Sequence, residues 1–334
     1  MSGIYGLSCA AEEAAAVLVP VPWEATVSYG RGTARAPEAI LAASVQVDLY
    51  DLETGEPHRA GIAMLPPDRS IALANTCASE RIAAIVAAHG PIDESPPPEA
   101  LEACAAVDRI SRDVHRTVRA TVERWLDRGK LVAVVGGDHS AAFGSIAAHG
   151  ARRPGLGVLQ IDAHADLRDA YQGFELSHGS VMDRVLREVD GVAKLVSVGV
   201  RDLCDQEHAR IRGSRGRIAA FFGPELARRS FAGEPFLRIA QEIAAQLPDE
   251  VYVSFDVDGL DPSLCPHTGT PVPGGLGFDQ ACALLGAVVR SGRRIVGFDL
   301  CEVAPGPPGD EWDANVGARL LYKLVGYGLL SWRR

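Results

Sequence analysis

The chain has 334 residues, 47% of them hydrophobic, a length and composition that fit one large globular α/β unit. Its 33 basic and 43 acidic side chains give a net charge of −10 without a long basic cluster, which argues against a nucleic-acid partner and is compatible with a small cationic substrate. The seven cysteines are scattered and never in CxxC spacing, so we expect reduced thiols. We find neither a signal peptide nor a run of about 18 apolar residues, so we expect a cytoplasmic location and no membrane partner.

The first half of the chain begins with a predicted strand at 16–21 (AVLVPV), and a polar loop follows at 24–35. Pro37 then opens a short helix, since proline suits the first helical turn. A longer helix begins near Pro98, with apolar side chains that recur every three or four residues at 101, 107, 110, 114, 118, 122 and 125. The run LVAVV after Lys130 predicts a strand that is covered on both faces.

The same alternation of strand and helix continues through the second half of the chain. Apolar runs predict strands at 155–161, 194–200, 250–255 and 293–300, and amphipathic stretches predict helices at 139–148, 179–188, 236–247, 278–290 and 315–324. This alternation predicts a three-layer α/β/α sandwich with a mostly parallel central sheet. We expect a single domain over residues 1–334, with an N-terminal extension at 1–16 and a catalytic core at 17–325. Segments 49–70 and 201–235 receive no assignment.

Four segments that follow predicted strands contain most of the side chains able to do chemistry. They are GGDHS at 136–140, DAHAD at 162–166, DVD at 256–258 and Glu302. Open parallel sheets bind ligands at the carboxyl ends of their strands, so we expect these segments to converge. The predicted metal ligands are His139, Asp162, His164, Asp166, Asp256 and Asp258. Carboxylates and imidazoles without a thiolate suit Mn²⁺, and six ligands are more than one ion needs, so two ions are expected.

Each motif also has an interpretation without catalysis. DAHAD could be a polar strand end, DVDGLDP an Asp-rich turn, and GGDHS a phosphate-binding glycine turn, although it lacks the lysine and the spacing of the known phosphate loops. His178 is a catalytic candidate, although a lone histidine is more often structural than catalytic. Glu302 ends an otherwise apolar strand, so its carboxylate must be solvated, paired or used, and a cationic ligand would satisfy it.

In combination, the motifs resemble the ureohydrolase family of arginases and agmatinases, which hydrolyse a guanidino group to urea and an amine. The similar stretches are GGDHS, DAHADLRD with SHG, SFDVDGLDPS with TGTPVPGG, and DLCEVAP, in the family's order, together with the opening segment VPWEATVSYGRGTARAPEAI. The similarity covers residues 17–325. It implies an arginase-like fold and two Mn²⁺ ions per subunit, with Ni²⁺, Co²⁺ or Fe²⁺ as alternatives.

The resemblance also implies a role for each site residue. His139, Asp162, Asp166 and Asp256 would hold one ion, and His164, Asp162, Asp256 and Asp258 would hold the second. Glu302 would anchor the guanidinium, and His178 would shuttle protons. The implied reaction is attack of a hydroxide shared by the two ions on the guanidinium carbon, with Asp166 accepting a proton. The family further implies a homo-oligomer, either a trimer or a hexamer.

The choice of guanidino substrate depends on the loop LRDAYQGFELS between Asp166 and His178. It lacks the Asn and Ser arrangement with which arginases hold an amino acid, and it is more similar to agmatinases. Asp169 and Glu175 could attract the far ammonium group of agmatine, so hydrolysis of agmatine to putrescine and urea is the main prediction. Arg168 could instead bind the carboxylate of a guanidino acid, or pair with Asp169. The alternative substrates are guanidinobutyrate, guanidinopropionate, arginine, guanidine and formiminoglutamate.

Two other classes of protein fit part of the pattern. A dinuclear metallophosphoesterase also uses His and Asp ligands, but usually in GDxHG- and GNHE-like loops that this sequence lacks. A metal-binding but inactive homologue would usually have lost one of the predicted ligands, His178 or Glu302, and this chain retains all of them. The sequence therefore favours a metal-dependent hydrolase.

Overall fold

Eight strands form one sheet in the computed structural model, which describes residues 3–90, Ile92 and 96–333. In chain order they are β1 Ala16–Pro20, β2 Ile62–Met64, β3 Leu131–Val135, β4 Leu156–Ile161, β5 Val192–Val198, β6 Ile218–Phe221, β7 Glu250–Asp256 and β8 Arg294–Cys301. Across the sheet the order is β2-β1-β3-β8-β7-β4-β5-β6, and every neighbouring pair is parallel.

Ten α-helices accompany the sheet within the described residues. They are α1 Ala36–Ala43, α2 Arg69–His89, α3 Pro98–Leu126, α4 Phe143–Arg152, α5 Val181–Glu188, α6 Asp205–Gly213, α7 Gly223–Phe231, α8 Phe236–Ala245, α9 Phe278–Arg290 and α10 Trp312–Ser331. Short 3-10 turns at His139–Ala142, His178–Ser180 and Val257–Gly259 contain predicted site residues.

The sheet is covered on both faces because the side chains of each strand alternate between two apolar layers. In β7, Val253 and Phe255 belong to the layer that includes α1, α8, α9 and α10, whereas Tyr252 belongs to the layer that includes α2, α3, α4 and α5. Buried strands therefore appear in the sequence as continuous apolar runs. The predicted three-layer sandwich with a parallel central sheet is confirmed.

The structure differs from the sequence predictions mainly at helix ends and in the two unassigned segments. The helix predicted at 139–148 is a 3-10 turn followed by α4, and the helix predicted at 315–324 is the much longer α10. Segment 49–70 contains β2, and segment 201–235 contains α6, β6 and α7. Both missed strands lie at the sheet edges and have only three or four residues, which is too short for a clear pattern.

Helix α2 could cross a membrane by length and composition alone, over its 20-residue stretch Arg69–Ala88, although polar residues interrupt this stretch. Only 17% of this stretch is buried in the structure. Glu80 and Arg81 lie side by side near its middle. An arginine at the centre of a membrane costs about 2.5–3.5 kcal/mol on insertion scales, so this charged pair opposes insertion. The buried side chains Ala78 and Ile82 belong instead to the apolar layer shared with α3.

The four strands that precede the predicted site segments are neighbours in the sheet. β3 leads to GGDHS, β8 leads to Glu302, β7 ends in Asp256 and β4 leads to DAHAD, and their spatial order is β3-β8-β7-β4. Their carboxyl ends are level, since Phe255 pairs with Leu300 on one side and with Ile161 on the other. Neighbouring strands lie about 4.8 Å apart, so four segments that are distant in sequence meet at one edge of the sheet.

Candidate metal centre and substrate cavity

A first group of ligand atoms surrounds His139, which follows β3. Its Nδ1 lies 2.8 Å from Asp166 Oδ2, 3.1 Å from Asp162 Oδ2 and 3.5 Å from Asp256 Oδ2. All four side chains are buried. Despite these short distances, Nδ1 forms no hydrogen bond with any described residue. A buried nitrogen among carboxylate oxygens without a hydrogen bond has the arrangement expected for ligands of one cation.

A second group surrounds His164. Its Nδ1 lies 3.0 Å from Asp258 Oδ2 and 3.6 Å from Asp162 Oδ1. Asp162 therefore takes part in both groups, with one carboxylate oxygen facing each histidine. The ligand atoms of His139, Asp162 and Asp256, and those of Asp162, His164 and Asp258, are each close enough together to hold a metal ion. Two adjacent groups with a shared carboxylate have the arrangement that two metal ions require.

The protonation of His139 follows from a buried chain of hydrogen bonds behind its ring. Ser254 Oγ donates to Asp299 Oδ2 at 2.9 Å, and it therefore accepts from His139 Nε2, also at 2.9 Å. Because a hydroxyl has only one proton to donate, Nε2 must carry a ring proton, and Nδ1 is the nitrogen that faces the carboxylates. Although burial opposes the charged form, Asp162 and Asp166 raise the pKa of His139 well above its ordinary value, so positive charge is favourable at this position. The residues therefore fit a metal ion.

The buried carboxylates also change the pKa values of one another. Burial raises the pKa of Asp256 well above its ordinary value, and the charges of Asp258 and Asp162 raise it further. Burial, together with the charge of Asp162, raises the pKa of Asp166 to about 7. The pKa of Asp162 is lowered instead, because interactions with the two neighbouring histidines outweigh the effect of burial. Divalent cations would supply the positive charge that keeps such a group of carboxylates ionised.

Asp166 and Glu302 adopt left-handed backbone conformations, with φ values of 55° and 64°. This region costs a residue other than glycine about 1–2 kcal/mol and is retained where the surroundings fix it. The backbone oxygen of Asp166 accepts hydrogen bonds from the amides of Met182 and Asp183, at 3.0 and 3.1 Å. The backbone oxygen of Glu302 accepts one from the Thr268 hydroxyl at 2.8 Å. These contacts hold both residues in the strained conformation.

Glu302, the predicted guanidinium anchor, is only 4% exposed. Its Oε1 accepts a hydrogen bond from the backbone N–H of His139 at 2.8 Å, whereas its Oε2 accepts none from the described residues. Burial raises the pKa of Glu302 well above its ordinary value, and the charge of Asp138 adds to this effect. A buried carboxylate with one oxygen available is suited to a planar cation such as guanidinium.

A cavity of about 480 Å³ includes the predicted metal ligands His164 and Asp166 in its wall. The other lining residues are Ser28, Tyr29, Arg168, Tyr171, His178, Gly179, Asp202, Leu203, Glu207, Thr270, Pro271 and Val272. The volume is in the range of about 300–1,000 Å³ that is typical of small-molecule sites. The candidate proton shuttle His178 and the predicted metal ligands therefore share one cavity.

Two residues predicted to bind the far end of the substrate do not line this cavity. Asp169 pairs with Arg187 at 2.6 Å, and Glu175 pairs with Arg112 at 3.1 Å. Both carboxylates are more than half exposed, at 71% and 55%. The loop between β4 and α5 directs them outward, a turn that sequence spacing did not reveal. The assignment of Asp169 and Glu175 as substrate ligands is therefore corrected.

Two other acidic side chains line the cavity instead, one just before α6 and one in its first turn. Asp202 is exposed, and its carboxylate has no ion pair or hydrogen bond with the described residues. Glu207 is buried and accepts two backbone hydrogen bonds of 2.9 Å. Arg168 does line the cavity as expected: its guanidinium lies 4.6 Å from the centre of the Tyr171 ring, and its Nε lies 3.9 Å from Glu207 Oε2. Sequence analysis missed both acids because they fall in the unassigned segment 201–235.

His178 is held by the loop that follows β1. Its backbone N–H donates to Thr26 Oγ1 at 3.2 Å, and its Nε2 lies 3.2 Å from Ser28 Oγ. Its Nδ1 is buried and has no hydrogen-bond partner among the described residues. Burial, together with the charge of the neighbouring His164, lowers the pKa of His178 to about 4, so the ring is neutral at pH 7.

Arg201, which follows β5, is a second residue that the sequence did not identify as important. Its guanidinium donates to the backbone oxygens of Asp258 at 2.7 Å and Val272 at 2.9 Å. Further bonds reach the backbone oxygens of Gly199, Leu260 and Pro273. The arginine thereby fastens the loop after β7, which forms part of the cavity wall, to the edge of the sheet.

A parallel α/β sheet with a His/Asp cluster at the ends of its central strands defines a metal-binding enzyme. The sequence model of the Arginase family matches residues 14–326. N(1)-aminopropylagmatine ureohydrolase of Thermus thermophilus is 34% identical over 316 residues, which cover 94% of this chain and 90% of that protein. Agmatinase of Bacillus subtilis is 27% identical over 94% of this chain and 92% of that protein. The crystal structure of agmatine ureohydrolase of Thermoplasma volcanium has the same fold, with a TM-score of 0.75 and 23% identity, and the match covers 100% of this chain and 96% of that chain.

The chain therefore belongs to the Arginase family. It is a hydrolase, a ureohydrolase of guanidino compounds, and this family uses a binuclear metal centre. The resemblance found in the sequence motifs is confirmed, and the alternative of a metallophosphoesterase is wrong.

Proposed function

We propose that this protein hydrolyses a linear aliphatic guanidine with an ammonium group at its far end, either agmatine or its N1-aminopropyl derivative, to urea and the corresponding amine. The observation that carries the proposal is the charge of the cavity wall. Within the described part of the chain Asp202 offers a carboxylate without a partner, whereas Arg168 is engaged by Glu207 and Tyr171. The names of the Thermus and Bacillus relatives support the same class of substrate.

In this proposal Glu302 binds the guanidinium through its available Oε2, by charge-assisted hydrogen bonds. Its Oε1 is held by the amide of His139, and its backbone by Thr268. A carboxylate fixed in this way restricts the position of the guanidinium carbon relative to the metal ligands. Such orientation removes much of the entropic cost of bringing the reactants together.

We assign His139, Asp162, Asp166 and Asp256 to one Mn²⁺, and His164, Asp162, Asp256 and Asp258 to a second. Bound divalent cations supply the nucleophile, because coordination lowers the pKa of a water molecule toward neutrality. Asp166 takes up a proton at its carboxylate during the attack, and the neutral ring of His178 accepts a proton from solvent at one nitrogen and passes a proton to the departing nitrogen. The neutral His178 ring is able to take part in this exchange at pH 7.

The far end of the substrate determines specificity. An ammonium group near Asp202 gains an ion pair, and the ring of Tyr29 at the cavity wall offers a face that attracts cations. The carboxylate of a guanidino acid would meet Asp202 instead, and Arg168 would have to leave Tyr171 to compensate. Cationic substrates are therefore favoured over guanidinobutyrate and arginine.

A urea-release assay with the Mn²⁺-loaded enzyme tests this proposal. The panel comprises agmatine, N1-aminopropylagmatine, arginine, 4-guanidinobutyrate and guanidine. We expect kcat/KM for the two cationic-tail substrates to exceed the other values by up to about fivefold, since one ion pair with an exposed carboxylate contributes up to about 1 kcal/mol. Preference for a guanidino acid, or no urea from any substrate, would contradict the proposal.

Substitution of Asp202 by Asn isolates the proposed recognition of the ammonium group. We expect the D202N variant to lose up to about fivefold in kcat/KM for agmatine, mainly through KM, and to change little with guanidine, which has no tail. Asp205→Asn provides the matched control, because this exposed aspartate in the first turn of α6 does not line the cavity. Equal losses with agmatine and guanidine would show that Asp202 acts on the site as a whole.

A further inference from the structure

The loop between β1 and α1 is fixed in place by its own side chains. Glu24 Oε2 accepts hydrogen bonds from the backbone N–H groups of Gly32 at 2.7 Å and Ala34 at 3.1 Å. Gly30 N–H donates to the backbone oxygen of Gly269 at 2.9 Å, and a Cβ at Gly30 would lie only 2.9 Å from that oxygen. Glycine is therefore required where this loop touches the segment after β7. These hydrogen bonds hold the loop in place where it crosses the cavity side of the sheet.

The middle of the loop is attached to the GGDHS segment and to His178. Asp138 Oδ2 accepts from both the backbone N–H and the hydroxyl of Thr26, at 3.2 and 2.9 Å. The Thr26 hydroxyl in turn accepts from the backbone N–H of His178 at 3.2 Å. Asp138 is fully buried and has no role among the predicted metal ligands. Its carboxylate thus connects the loop after β3 with the segment that contains His178.

This attachment brings Ser28 next to the His178 ring, with Oγ 3.2 Å from Nε2. Both residues line the substrate cavity. The other ring nitrogen, Nδ1, is buried and has no hydrogen-bond partner among the described residues, so the contact with Ser28 is the hydrogen bond that can orient the ring. The Tyr171 ring adds an edge-on contact at 5.6 Å between ring centres, which restrains the ring without choosing between its nitrogens.

We propose that Ser28 is a positioning residue that sets the orientation and tautomer of His178 toward the cavity, an inference that rests on the proposed ureohydrolase reaction. A hydroxyl can donate to Nε2 or accept from it, so it follows the ring when the ring gains or loses a proton. A methyl group in its place can do neither. Because a general acid must be aligned with the nitrogen that it protonates, loss of this contact lowers the rate of the chemical step.

Steady-state kinetics of Ser28→Ala, Ser28→Thr and His178→Asn, alone and combined, test this role. We expect S28A to lower kcat about 10- to 100-fold with KM nearly unchanged, because general acid–base catalysis contributes rate factors of this size. We expect S28T to recover most of the loss, because threonine keeps the hydroxyl. In the H178N background, S28A should have no further effect, because Ser28 acts through His178. Ser70→Ala removes an exposed hydroxyl at the start of α2 and should leave kcat unchanged.

Nitrogen chemical shifts of the labelled His178 ring give a readout that does not depend on turnover. At a fixed pH, S28A should change the ratio of the two ring tautomers, while the melting temperature stays that of the wild type. An unchanged tautomer ratio, a kcat equal to that of the wild type, or independent losses from S28A and H178N would each overturn the inference. A wild type that releases no urea would overturn the proposed function as well, whereas an active wild type with an unaffected S28A variant would overturn only the role of Ser28.

Discussion

At the residue level, the proposed metal ligand His139 depends on hydrogen-bond partners that lie outside the candidate metal centre. Ser254 and Asp299 determine which nitrogen of His139 carries the proton, and the same two residues hold the ring in place from the far side of the site. A carboxylate that acts through a hydroxyl on a histidine raises the electron density on the opposite ring nitrogen. The affinity of a histidine ligand for a metal therefore depends on its hydrogen-bond partners as well as on the histidine itself.

Replacement of Ser254 by Ala should consequently weaken metal binding while the ligands themselves remain. We expect an affinity for Mn²⁺ about 10- to 100-fold lower, the typical effect of removing a partner behind a ligand, measured by titration calorimetry on the metal-depleted protein. Ser111→Ala is the matched control, because this serine is also buried but bonds only to the backbone of its own helix α3. An S254A variant with the affinity of the wild type would contradict the assigned tautomer.

At the level of elements, one side chain contacts the loop from Gly259 to Gly277 at several points. Arg201 donates to backbone oxygens at both ends of this loop, including those of Asp258 and Val272. A lysine keeps the charge but not the planar set of donors that reaches several carbonyls at once. Most of these carbonyls would then lose their partner in a half-buried position.

We therefore expect Arg201→Lys to lower the free energy of unfolding by about 3 kcal/mol, since each hydrogen bond to a charged group contributes about 1.5–3 kcal/mol and only some are replaced. The KM of the preferred guanidine should rise, because Thr270 and Val272 of the loop line the cavity. Urea unfolding and steady-state kinetics measure the two effects. Arg229→Lys changes an arginine that pairs with Glu234 and Glu242 on the surface and should leave both quantities almost unaltered. A stable R201K variant with an unchanged KM would show that the loop keeps its conformation without the hydrogen bonds of Arg201.

The sequence predicts the long elements and the clustering of the His and Asp side chains for the same physical reason. Strands β3, β4, β7 and β8 are covered on both faces, so they appear as apolar runs, and the polar residues that end them are conspicuous. The order β3-β8-β7-β4 is not visible in the sequence, because strand neighbours are chosen by tertiary packing. The contacts of Ser28, Asp202 and Arg201 depend on loop conformation, which spacing does not encode. For the same reason Asp169 and Glu175 looked suitable and yet point away from the cavity.

For the whole molecule, stability in acid depends on histidines that are buried without charge. His115 on α3 and His149 on α4 are 6% and 0% exposed, and each has an Nε2 without a hydrogen-bond partner among the described residues. Burial lowers the pKa of His115 to about 4 and that of His149 to about 3. Both rings are neutral in the folded protein, whereas in the unfolded chain they take up protons near pH 6.5.

The sign of the pH dependence follows from these shifts. The unfolded state binds more protons than the folded state between pH 6.5 and the folded pKa values, so the stabilising contribution is complete above pH 6.5 and is lost as the pH falls toward 4 and then 3. Each histidine contributes a slope of about 1.4 kcal/mol per pH unit in that window. We expect urea unfolding of His149→Gln between pH 6 and 4 to show a slope smaller by about this amount, because glutamine stays neutral. His208→Gln, at an exposed position on α6, should retain the slope of the wild type, and an H149Q variant with that same slope would show that the buried ring does not govern acid stability.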